Sequence, residues 1–164
     1  MLSQRAQRQG LRKLVEAFLS PSDENIAQVP AAENVTSVIV IQGVPILLGT
    51  NKAEGANAIR LVHTIATNFT PDPYNLDNYV TIGDNEAFIN ATAIVGPTVG
   101  ELSLPLFTAP ATQNLVYDLT TCLGYLAVGT VEPVTGLLDE LTGLLNFLLG
   151  KGYKVYDRPL LSML

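Results

Sequence analysis

Four acids, Asp72, Asp77, Asp84 and Glu86, lie within fifteen residues, interleaved with Asn75, Asn78 and Asn85. Clustered oxygen donors on loops are what Ca²⁺ requires, which makes these four the candidate metal ligands. Their order does not follow an EF-hand loop, and Asp and Asn are also the ordinary residues of turns. The expectation is therefore a structural loop with no metal. His63 and Cys122, with Asp118 to orient the ring, have the types of a thiol–imidazole nucleophile. Cys122 sits in a Thr-Thr-Cys-Leu-Gly stretch that reads as apolar strand, where a lone Cys is a small core residue, so it is expected to be buried and inert. The Leu145–Gly152 segment contains the Gly-Lys of a phosphate loop but lacks its first Gly and its terminal Ser or Thr. It also ends a helix rather than starting one. Asn34, Asn68 and Asn90 each fit a glycosylation pattern that chance explains. No catalytic residue and no cofactor site is assigned.

The elements that would position any such group show themselves through composition first. Charged residues make up 15% of the 164, against roughly 25% in ordinary globular domains. Hydrophobic residues make up 48%. So little charge leaves two outlets for the apolar surface, subunit interfaces or a membrane. No run approaches the roughly 20 apolar residues that span a bilayer, so no transmembrane segment is expected. Residues 1–20 carry a net +3, 21–150 a net −11 and 151–164 a net +2. The acidic middle argues against nucleic acid as a partner. One Cys and one His exclude an internal disulfide and a multi-histidine metal centre. The Arg-rich start has features of a mitochondrial presequence but reads here as a helix. It lacks the uncharged core of a secretory signal, and the compartment stays unassigned.

Two stretches have helical period. Leu11, Leu14, Val15 and Phe18 form the stripe of a basic N-terminal helix within 1–20, ended by Ser20-Pro21. Val134, Leu137, Leu138, Leu141, Leu144, Leu145 and Leu148 form that of an apolar helix over 133–149. The stretch 34–131 reads as mainly β. Candidate strands are 36–42, 44–50, 79–82, 87–95, 100–107, 113–119 and 122–131, cut by Gly and Pro. Residues 21–33 read as a polar connector, and 51–55 as a turn or a helix start, with Asn51 and Glu54 at capping-box spacing. Residues 58–69 fit either helix or strand, with helix preferred. Residues 150–164 read as a last strand, 153–156, and an apolar tail.

The pattern predicts one α+β domain over 1–164, an antiparallel, sandwich-like β body flanked by an N-terminal and a C-terminal amphipathic helix. The body 79–131, with its Pro-interrupted strands and few charges, resembles coat, shell and fibre subunits in composition only. The leading expectation is accordingly a non-enzymatic structural subunit that self-assembles into a homo-oligomeric shell, coat or filament. Its partners are copies of itself, with no small-molecule substrate evident. Its interface would comprise Leu11, Leu14, Val15, Phe18, Leu137, Leu141, Leu144, Leu148, Leu160 and Leu161. The alternative is a binding module that holds an apolar ligand between the C-terminal helix and the β body.

Overall fold

Ser3 opens the first helix by accepting the Ala6 N–H at 3.0 Å, and α1 (Gln4–Leu19) runs until Ser20-Pro21 breaks it. The computed structural model describes residues 2–95, 98–99, 102–103 and 107–157. α1 buries Leu11, Leu14, Val15 and Phe18 together with Gln7, Gly10 and Ala17. Its apolar period thus faces the chain's own core. The segment read as a connector contains a short helix, α2 (Asp23–Ala27), capped by Ser22. Strands β1 (Ala31–Ile41) and β2 (Val44–Gly49) form a hairpin through a left-handed Gln42-Gly43 turn. α3 (Lys52–Ile65) follows. Asn51 accepts the Glu54 N–H at 2.8 Å, and the Glu54 carboxylate reaches back to the Thr50 N–H at 2.8 Å. The ambiguous stretch 58–69 is both of its readings in succession: helix to Ile65, then strand β3 (Ala66–Thr70).

The remaining strands are β4 (Val80–Ile82), β5 (Glu86–Val95), the hairpin β6 (Thr98–Val99) and β7 (Leu102–Ser103), β8 (Phe107–Asp118), β9 (Leu123–Val131) and β10 (Lys154–Val155). Between the last two, a 3-10 turn at Thr135–Leu137 leads into α4 (Leu138–Gly150). Eight strands make one sheet in the order β10-β2-β1-β9-β8-β5-β3, with β4 also on β5. The molecule is α+β with helices flanking a sheet, as expected, but the β body is one mixed sheet and not a sandwich. β1 runs parallel to β9, from Thr36 opposite Leu126 to Ile41 opposite Val131. Helices, rather than a second sheet, cover its inner face. Leu160 and Leu161 lie outside the described residues.

Strand periodicity places the odd-numbered residues of β5 and β8 on that inner face. There they divide between two clusters. At one end Ala87, Ile89, Leu115 and Tyr117 pack under α1 with Val29, Ile59 and Tyr79. At the other end Ala93, Val95, Phe107 and Ala109 join Ile39, Ile41, Ile46 and Val131 under Leu141, Leu144, Phe147 and Leu148 of α4. Leu137 packs against this second cluster as well. The first helical turn of α4 is tied to the β1–β2 hairpin by Gln42, whose Nε2 donates to the Leu138 carbonyl at 3.1 Å and to Thr142 Oγ1 at 2.9 Å. Among the described residues, no helix is long and apolar enough to cross a membrane.

The seat of α1 depends on one missing side chain. The Tyr117 hydroxyl donates to the Gln7 carbonyl at 2.9 Å and passes directly over Gly10. A Cβ on Gly10 would strike that hydroxyl and come within 2.8 Å of Pro30 Cγ. Gly10→Ala should therefore cost about 1–3 kcal/mol of stability, the range for overpacking. In a Tyr117→Phe background, which itself loses one hydrogen bond of about 0.5–1.5 kcal/mol, the penalty should shrink. Urea denaturation of the four proteins measures the difference; an equal penalty in both backgrounds would mean that the phenol is not what α1 rests on.

Candidate functional site

Between the two clusters the inner face of the sheet carries only small or polar side chains. Ala91 on β5, Ala111 and Gln113 on β8, Ala127 and Gly129 on β9, and Ser37 on β1 form a floor. The ladder sets Gln113 opposite Gly129, and Gly129 beside Ile39. Leu14, Val15 and Phe18 of α1 and Ala56, Ile59 and Val62 of α3 form a roof, which the bulky clusters at either end hold away from that floor. The result is a cavity of about 460 Å³. Its apolar walls are completed by Val29, Val35, Leu48, Phe69 and Ile89.

Exposed Asp23, Ala27, Glu33, Lys52 and Ala53 line it as well, so it reaches the surface where α2, the start of α3 and the start of β1 meet. α2 buries no residue. It is held by Asn25 Nδ2, which donates to the Ser20 carbonyl at 2.9 Å, and by Arg60, whose Nη2 lies 2.8 Å from Asp23 Oδ1. Among the described lining residues the only ionisable groups are Asp23, Glu33 and Lys52, all at this mouth.

The polar feature of the floor is Gln113. Its Nε2 donates to the Asn114 carbonyl at 3.0 Å. Its Oε1 lies over the position where a Gly129 Cβ would stand, 2.8 Å away. Asn114 on the opposite face of the strand is bound from both ends: its Oδ1 accepts the Val128 N–H at 2.9 Å, and its Nδ2 donates to Glu86 Oε2 at 3.4 Å.

The residues singled out from sequence lie elsewhere. Asp72 Oδ1 accepts the Tyr74 N–H at 3.0 Å and Asn75 Oδ1 the Asp77 N–H at 3.0 Å, so this loop uses its side chains to close its own turns. Asp77 and Asp84 are exposed, while Glu86 is buried on β5 beside Asn114. No group of three His, Cys, Asp or Glu side chains among the described residues is placed to hold a metal. His63 Nδ1 meets the Phe18 carbonyl at 2.8 Å and braces α3 against α1. Asp118 accepts the Thr120 N–H at 2.8 Å, capping the β8–β9 turn. Cys122 belongs to that turn, half-buried with φ of +63°, rather than to the interior of a strand. Leu11, Leu14, Val15, Phe18, Leu141, Leu144 and Leu148 are all buried within the chain itself. The apolar ligand site expected under the C-terminal helix is placed differently: the cavity lies under α1 and α3, and no α4 residue is among its described lining. Alanines and a glycine at alternate positions of β5, β8 and β9 were the available signal for it.

Burial raises the phenols of Tyr79 and Tyr117 well above their ordinary value, and the Glu16 carboxylate adds to the effect at Tyr79. Glu86, 5% exposed, has its carboxyl raised above the ordinary 4.5 by loss of hydration, against which the Asn114 bond works.

No protein-family model and no curated protein matches the chain. Solved structures do match in fold. An NTF2-like protein from Burkholderia xenovorans superposes with a TM-score of 0.58 at 10% identity, covering 87% of this chain and 99% of the other. A protein from Jannaschia described as a SnoaL-like polyketide cyclase gives 0.54 at 9% identity, covering 84% and 92%. A protein from Catenulispora acidiphila with a ketosteroid isomerase-like fold, in complex with trimethylamine, gives 0.53 at 11% identity, covering 81% and 92%. These neighbours correct the expectation of a self-assembling structural, coat or filament subunit. The fold is that of NTF2-like proteins, and Leu11, Leu14, Val15, Phe18, Leu141, Leu144 and Leu148, which suggested assembly, are buried within the chain.

Because the folded-state value of Glu86 is raised, its contribution to stability is complete below the unfolded value near 4.5 and is lost as pH rises through the folded value. Glu86→Gln should thus gain in melting temperature relative to the parent as pH goes from 4 to 8. A difference that stays constant across melts in that range would contradict the burial of a charge there.

Proposed function

We propose that this chain is a binding domain for an uncharged, largely apolar small molecule, held in the cavity between α1, α3 and the inner face of the sheet. The observation that carries the reading is the cavity's composition. About 460 Å³ is bounded by aliphatic and aromatic side chains, with ionisable lining groups only at the mouth. Sites for small molecules have volumes of about 300–1,000 Å³ and this kind of lining. Protein interiors ordinarily contain few voids larger than a water molecule. A chain that places alanine and glycine where larger residues would close the gap forgoes core packing, and a ligand restores it.

The non-catalytic part of the reading rests on the floor, whose described residues carry no ionisable side chain. Two of the neighbours support the binding part: one contains trimethylamine, a small organic molecule, and another is described as a cyclase.

The test is fluorescence titration with N-phenyl-1-naphthylamine, an uncharged dye that brightens in apolar surroundings. The parent protein should bind it saturably at one site per chain. Ala111→Phe, which grows from the floor into the cavity, should weaken binding about tenfold or more, equivalent to ~1.4 kcal/mol. Its melting temperature should be unchanged or higher, because the added ring occupies space already present. Absence of saturable binding, or binding that Ala111→Phe leaves untouched, would overturn the reading.

A further inference from the structure

We infer that Gln113 is the specificity-determining residue of this cavity, and that it selects an apolar ligand that presents a single hydroxyl or N–H to the floor. The inference rests on the binding reading above and adds the chemistry of the ligand. Gln113 is half-buried and lines the cavity from the middle of β8. Its amide orientation follows from its surroundings: Nε2 donates to the Asn114 carbonyl at 3.0 Å, and a flipped amide would set Oε1 against that carbonyl, acceptor facing acceptor. Oε1 is thereby fixed over Gly129, on the cavity side of the sheet. It accepts no hydrogen bond from the described residues.

Gly129 is what leaves the oxygen approachable. A Cβ there would lie 2.8 Å from Oε1, closer than such a contact allows, and would push the amide aside. An acceptor in apolar surroundings favours a ligand that can donate, since the alternative is a desolvated carbonyl left unpaired. A carboxylate is disfavoured because, among the described lining residues, no cationic group lies deeper than the mouth to offset its charge. A cation is disfavoured because the ionisable lining groups are confined to the mouth, so nothing deeper neutralises it.

The experiment is displacement of N-phenyl-1-naphthylamine by 1-naphthol and by 1-methylnaphthalene, which differ in having a hydroxyl or a methyl at one position. The quantity read is the ratio of their affinities, compared between the parent, Gln113→Leu and Gly129→Ala. The first variant removes the acceptor; the second keeps the amide but displaces it. The ratio should fall about five- to tenfold from parent to either variant, the worth of one net hydrogen bond. The affinity for 1-methylnaphthalene should change little in Gln113→Leu. If one variant fails to fold, the other still gives the ratio. A space-filling role for Gln113 would alter melting temperature and leave the ratio within about twofold of the parent, and that result overturns the inference while the binding reading stands. A parent protein that does not bind the dye at all defeats the binding reading itself.

Discussion

Side-chain volume along the inner face of the sheet determines what lies above it. On β5 the face reads Ala87, Ile89, Ala91, Ala93 and Val95; on β8 it reads Phe107, Ala109, Ala111, Gln113, Leu115 and Tyr117. Large residues stand at the ends of the longest strand, and small or polar ones at its middle. Leu14, Val15 and Phe18 of α1 and Ile59 of α3 pack with Leu115, Tyr117 and Ile89 in one cluster, which seats these helices above the small side chains of the middle. The cavity is thus a consequence of where the volume is, and no loop has to be held open to maintain it.

Apolar contact supplies most of the energy that keeps the two ends closed. Leu11, Leu141, Leu144 and Leu148 are each 0% exposed, and burial of such a side chain contributes about 1.5–3 kcal/mol. The polar bonds set orientation. Tyr117 to the Gln7 carbonyl fixes the rotation of α1, and Gln42 fixes the start of α4 against the hairpin. The charged contacts, Arg12 and Lys13 with Glu16 and Arg60 with Asp23, are on the surface, where each is worth about 0–1 kcal/mol. At the mouth, α2 has no fully buried residue, only its Ile26 packs on the core, and the Asp23 side chain is nearly fully exposed.

The helices were legible because period 3.6 is a local property: the stripes of α1 and α4 can be read from Leu11 to Phe18 and from Leu141 to Leu148 without knowing what they face. What they face was not legible. The parallel pairing of β1 with β9 joins Thr36 to Leu126 across the whole middle of the chain, and no local pattern encodes it. The sandwich expectation failed there. Low charge fits the walls of an internal apolar cavity as well as subunit contacts, and composition alone does not separate the two. The floor escaped notice since Ala91, Ala111, Ala127 and Gly129 carry little weight in any hydrophobic pattern. Cys122 stands in the β8–β9 turn, one residue before β9 begins, which leaves its thiol half-buried instead of in the core.

The central claim is that the void lies under α1 and α3, while Leu141, Leu144 and Leu148 of α4 belong to a separate buried cluster. Methyl-resolved NMR during titration with the uncharged dye tests it most directly. The account predicts progressive shifts at Ile59, Val62, Ile89 and Leu115, which line the cavity, and none at Leu141, Leu144 or Leu148. Shifts concentrated on the α4 leucines, or on the exposed Val80 and Ile82, would contradict it.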